Sequence, residues 1–92
     1  MRILIIEDEV LVAKDLQNLI AKLAPDAAII QTLTSVESAK AWFNENKMPD
    51  LILSDIQLSD GISFDIFESL HCRIYDFFCV PFKLALNVFN FV

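Results

Sequence analysis

Two observations predict that this 92-residue chain folds as an α/β domain on a parallel sheet. Short apolar runs alternate with stretches whose apolar residues recur at helical spacing. The composition, 55% hydrophobic and 22% charged, is that of a globular chain. Strands alternating with helices of about ten residues or more require crossover connections, which makes them parallel and right-handed. At this length one domain is expected, with a core near the small end of the usual range.

The elements follow in order. Ile3-Leu4-Ile5-Ile6 is a continuous apolar run, suited to a strand buried on both faces. Val12, Ala13, Leu16, Leu19, Ile20 and Leu23 then recur at helical spacing and stop before Pro25. Ala27-Ala28-Ile29-Ile30 reads as the second strand. Thr34-Ser35-Val36-Glu37 has the form of a capping box, and Val36, Ala39, Trp42 and Phe43 form the apolar stripe of the helix it opens. Pro49 breaks the pattern before a third strand, Leu51-Ile52-Leu53. Ser59-Asp60-Gly61 is a turn whose glycine, the only one in the chain, suits a positive φ. Ile62, Ile66, Phe67 and Leu70 give a third helical face.

Charge and composition exclude several functions. Seven basic residues against thirteen acidic ones leave a net charge of −6 with no basic run, which argues against direct nucleic-acid binding. Glu7-Asp8-Glu9 follows the first apolar run too soon for a secretory leader. Two cysteines give no disulfide framework, so a cytoplasmic domain is expected. Composition also breaks along the chain. Residues 1–70 hold twelve acids against five bases, a net of −7, whereas 71–92 hold five of the eight Phe and three charges.

Acids stand where parallel sheets place their sites, at the carboxyl ends of strands. Glu7-Asp8 closes the first strand and Asp55 the third. In a doubly wound sheet of order 2-1-3, these strands are neighbours and the three carboxylates converge. Three carboxylates repel one another and need protons or a cation, and oxygen-only ligands favour Mg²⁺. Beside such an ion a carboxylate can act as a nucleophile towards a phosphoryl group. A plainer reading makes Asp8 or Glu9 only the N-cap of the helix that follows.

Arg2-Ile3-Leu4-Ile5-Ile6-Glu7-Asp8-Glu9 resembles the opening strand and acidic pair of response-regulator receiver domains. The segment from Pro49 to Gly61, containing Asp55-Ile56-Gln57-Leu58-Ser59-Asp60-Gly61, is similar to their phosphoacceptor segment, in a form close to receivers of LytTR-type regulators. The resemblance spans residues 1–70, the receiver-like (βα)3 core. It implies a flavodoxin-like three-layer α/β/α sandwich of strand order 2-1-3-4, incomplete at the C-terminus. It further implies that Asp55 accepts a phosphoryl group from a sensor histidine kinase or a small acyl phosphate. Mg²⁺ would be held by carboxylate oxygens of Asp8 and Asp55, by the backbone carbonyl of Gln57 and, mostly through an ordered water, by Glu7. Such a chain is a signalling module rather than a turnover enzyme.

After Leu70 the chain departs from the pattern. The family's fourth strand ends in Thr or Ser and its fifth in Lys-Pro, but residues 71–83 contain neither hydroxyl residue, and Val80 precedes Pro81. Lys83 stands two residues past that proline. A shift of reading frame near residue 70 is one account of the divergent hydrophobic tail, 71–92, and a true C-terminal variant is the other. Arg73, Asp76 and Lys83 divide the tail and disfavour a membrane span. His71, Cys72 and Cys79 lack the paired spacing of a zinc site. Residues 74–80 would supply a fourth strand, and an uncovered apolar edge would favour a homodimer. Two rival functions follow. One is a pseudo-receiver, or a truncated and inactive receiver fragment, that at most binds partners. The other is a Mg²⁺-dependent phosphatase, which usually carries a second Asp where this chain has Gln57.

Overall fold

The computed structural model describes residues 1–55, 57–69 and 78–80. Strand β1 spans Arg2–Ile6, helix α1 Val10–Leu23, strand β2 Ala28–Leu33, helix α2 Val36–Glu45 and strand β3 Leu51–Ser54. A short hairpin follows, with β4 at Gln57–Leu58 and β5 at Gly61–Ile62, then helix α3 at Phe64–Ser69 and strand β6 at Phe78–Val80. The main sheet runs β2-β1-β3-β6 with every pairing parallel, and β4 pairs antiparallel with β5.

The central strand explains the apolar run at the start of the chain. Its side chains alternate between the two faces of the sheet. Ile3 and Ile5 pack with Leu16 and Ile20 of α1 on one face. Leu4, Ile6 and Ile52 meet Val36, Ala39 and Phe43 of α2 and Ile66 of α3 on the other. Each Leu, Ile, Val or Phe side chain among them, taken fully from water, contributes about 1.5–3 kcal/mol. Trp42 meets Phe43 edge-on at 5.2 Å between ring centroids, and Phe43 meets Phe67 at 6.4 Å, which clips α2 to α3. A parallel sheet with helices packed against it fits an α/β flavodoxin-like fold.

Strand β2 runs three residues beyond the Ala27–Ile30 expectation, and begins one later. Its pairing with β1 shifts register, so that Ile3 faces Ile29 but Leu4 faces Gln31. The extra residue is Ile30, and such a bulge interrupts the strict alternation by which a strand is read. Beyond it, Thr32 accepts a hydrogen bond from Gln17 Nε2 of α1 at 2.8 Å, while Leu33 joins the α2 side of the core.

The cap of α2 sits one residue later than Thr34. Ser35 is the N-cap: its Oγ accepts from the Ser38 amide at 3.0 Å, and the Ser35 amide donates to Ser38 Oγ at 3.2 Å. The Glu37 amide, which a cap at Thr34 would have to accept, donates instead to Asp60 Oδ2 at 3.1 Å. Ser35→Ala should therefore cost about 1 kcal/mol and lower the urea midpoint. Thr34→Ala should leave the midpoint in place, and equal effects of the two would contradict this assignment.

Helix α3 begins at Phe64, so Ile62 belongs to the hairpin and is exposed, while Ile66 is fully buried as expected. Gly61 has φ +152°, a conformation that a side chain would strain. Of the strand expected over 74–80, Phe78–Val80 pairs with Leu51–Leu53 of β3. Leu70, His71, Cys72, Lys83 and the remainder of the tail lie outside the described residues. Among the described residues no helix is long and apolar enough to cross a membrane.

Candidate functional site

The backbone register brings the acids together. Ile6 pairs with Ser54, so the next residues of β1 and β3, Glu7 and Asp55, emerge side by side at the carboxyl end of the sheet. Both extend the ladder: the Glu7 amide donates to Leu33 O at 2.8 Å and the Asp55 amide to Ile6 O at 2.9 Å. The Ser54 hydroxyl donates to the Asp55 carbonyl at 2.9 Å. Glu7 is fully buried, Asp55 is 7% exposed, and Asp8 is half-buried.

Glu7, Asp8 and Asp55 each offer a carboxylate oxygen, and these oxygens all lie within 4.8 Å of one another. The capping alternative finds no bond here. Glu9 occupies the N-cap position of α1, but its side chain makes no capping hydrogen bond. Its amide instead donates to Glu7 Oε1 at 3.0 Å, which orients the buried carboxylate. The three acids therefore converge on one another at the carboxyl edge of the sheet.

The donor set can be tested against Mg²⁺. Bonds of about 2.1 Å in an octahedron place neighbouring ligands about 3 Å apart and opposed ones about 4.2 Å apart. Oxygens within 4.8 Å need only a small contraction to reach that spacing. All three are hard carboxylate donors, and the half-buried Asp8 keeps the site open to water. The residues fit a magnesium ion. Gln57, the fourth expected ligand through its main chain, is the first residue of β4 and pairs with Ile62, its side chain exposed.

One contact was not anticipated from the sequence. Asp60, read only as a turn residue, accepts from the amides of Val36 (2.8 Å) and Glu37 (3.1 Å) at the start of α2. The Val36 amide, then that of Glu37, hold its carboxyl below the ordinary Asp range. These bonds persist at neutral pH and are lost as pH falls through that lowered value. An acid five residues after Asp55 and before a glycine was the available signal. Beside the acids, a cleft of about 350 Å³ is lined by Glu7, Lys14, Gln17, Thr32 and Thr34 among others.

No family model matches the chain. The Phyllosphere-induced regulator PhyR of Methylorubrum extorquens is 48% identical over 61 residues, covering 66% of this chain and 22% of that protein. The PhyR response regulator REC domain of Erythrobacter litoralis has a TM-score of 0.61 and 35% identity, covering 76% of this chain and 53% of that one. The anti-anti-sigma factor PhyR of Bartonella quintana has a TM-score of 0.62 and 30% identity, covering 75% and 27%. The chain thus spans about a fifth of the curated relative and about half of the REC-domain chain. Over most of its length the chain is similar in sequence and fold to receiver domains of PhyR-type response regulators.

Proposed function

We propose that this chain is a phosphoacceptor receiver that takes a phosphoryl group on Asp55, with Mg²⁺ held by Glu7, Asp8, Asp55 and the Gln57 carbonyl. The observation that carries this reading is the convergence of three carboxylates from two strand ends within 4.8 Å. A carboxylate oxygen of Asp55 attacks phosphorus and forms an O–P bond. The P–N bond of a kinase phosphohistidine, or the P–O bond of an acyl phosphate, breaks and its electron pair leaves with the donor. A departing imidazole nitrogen takes up a proton. When bound, Mg²⁺ neutralises the acids and the phosphoryl oxygens. The chain's own part is to hold Asp55 with its carbonyl fixed by Ser54 and to keep Glu7 aimed through the Glu9 amide.

The donor is a sensor histidine kinase, the setting is cytoplasmic, and the chain acts once per phosphoryl group rather than as a turnover enzyme. The output is part of the same proposal. The segment at Asp55–Gly61 resembles LytTR-associated receivers, but the 48% identity to a PhyR favours the latter type. By likeness to an anti-anti-sigma factor, a protein that uses this receiver would act by binding an anti-sigma factor.

Intact mass after incubation with acetyl phosphate tests the reading. A Mg²⁺-dependent gain of one phosphoryl group, absent in Asp55→Asn, is expected. A folded sample that gains none would favour the interaction-only receiver, in keeping with the absent Thr/Ser and Lys-Pro positions after Leu70.

A further inference from the structure

We infer that Asp60 is a positioning residue for the acidic site: by gripping the start of α2 it fixes the segment that carries Asp55 and Gln57. The inference rests on the Mg²⁺ reading above. That segment is a hairpin with two residues in each strand, too short to keep its shape unaided. Its geometry must come from its anchors. At the near end the Asp55 amide is tied to Ile6 O and the Asp55 carbonyl to Ser54 Oγ. In the middle, Leu58 is 2% exposed and packs in the cluster that holds Val36 and Ile66. At the far end the two oxygens of Asp60 accept from the Val36 and Glu37 amides.

Helix α2 already has a cap of its own, because Ser35 Oγ takes the Ser38 amide. The Asp60 bonds add to it a tie between segments 24 residues apart in sequence. Gly61 extends the same junction: a Cβ there would lie 3.4 Å from Val36 Cγ2 and 3.6 Å from Asp65 Oδ2. Cutting the tie frees the hairpin at one end and loosens the main chain of Gln57. Outer contacts of this kind are worth about 10- to 100-fold in metal affinity.

The test is calorimetric titration of Mg²⁺ alone into the full chain, Asp60→Ala, Asp60→Asn and Asn46→Ala, below the melting temperature of each. Asn46→Ala removes the Asn46 Nδ2 bond to Trp42 O at the opposite end of α2, and so reports simple loss of helix stability. Asp60→Ala should raise the Mg²⁺ dissociation constant about tenfold or more. Asp60→Asn, which keeps one acceptor oxygen, should raise it less, and Asn46→Ala should leave it unchanged. If Asp60→Ala does not fold, the shift in Asp60→Asn decides. Unchanged affinity in the Asp60 variants, or an equal shift in Asn46→Ala, overturns the inference and leaves the metal reading standing. No binding by the unsubstituted chain removes the metal reading, and the inference with it.

Discussion

Asp8→Asn is expected to raise the melting temperature without Mg²⁺ and to abolish the further rise that Mg²⁺ produces. The two shifts have one cause. Charges 4.8 Å apart, the limit within which these oxygens lie, repel by about 1 kcal/mol in the dielectric of water and about 3.5 kcal/mol at an effective dielectric of 20. Neutralising Asp8 relieves that repulsion in the metal-free chain, and it takes from Mg²⁺ one of its charged ligands. At Mg²⁺ a hundred times its dissociation constant, binding adds about 2.7 kcal/mol to the unsubstituted fold, which the variant should lose. Removing a direct ligand should cost at least the top of the outer-contact range, so the rate of phosphoryl acceptance should fall on the order of a hundredfold. Asp8 is the better choice than Glu7, which is fully buried and bonded to the Glu9 amide. Thermal melts with and without Mg²⁺ check this. An Asp8→Asn chain stabilised by Mg²⁺ as much as the parent would mean that the ion is held elsewhere.

Leu4→Ala is expected to cost about 2–5 kcal/mol. Leu4 is fully buried in the central strand, in the cluster formed with residues of α2 and α3, and its truncation leaves a cavity between sheet and helices. A native domain holds only about 5–15 kcal/mol in all, so the variant should lose a large part of its stability. Leu11→Ala is the contrast, since Leu11 is 77% exposed on α1 and its loss should change stability by less than about 0.5 kcal/mol. Urea unfolding followed by circular dichroism separates them. Similar midpoints for the two variants would contradict the packing described for β1.

The elements that the sequence makes plain are those whose pattern is a local consequence of burial. Ile3–Ile6 and Leu51–Leu53 are apolar because helices cover both faces of a central strand, and α1 shows its stripe because one side meets the sheet. The acidic site was legible for a related reason. A carboxylate directly after a buried strand has only the carboxyl edge of the sheet to occupy, and neighbouring strands bring two such ends together. The features that escaped notice depend on distant partners. The bulge at Ile30 exists only in the pairing with β1, and it hid the last residues of β2. The capping box fell to Ser35 and Ser38 because Asp60, far along the chain, takes the Glu37 amide. Ile62 fits a helical spacing with Ile66 but is drawn into the hairpin by its pairing with Gln57.

The measurement that tests the central claim most directly locates the phosphoryl group rather than weighing the chain. After incubation with acetyl phosphate and Mg²⁺, borohydride reduces an acyl phosphate to the alcohol, so a phosphorylated Asp becomes homoserine. Peptide sequencing by mass spectrometry should find homoserine at position 55 alone, and only where Mg²⁺ was present. Homoserine at another acid, or a folded chain with none, would contradict the claim that Asp55 is the phosphoryl acceptor.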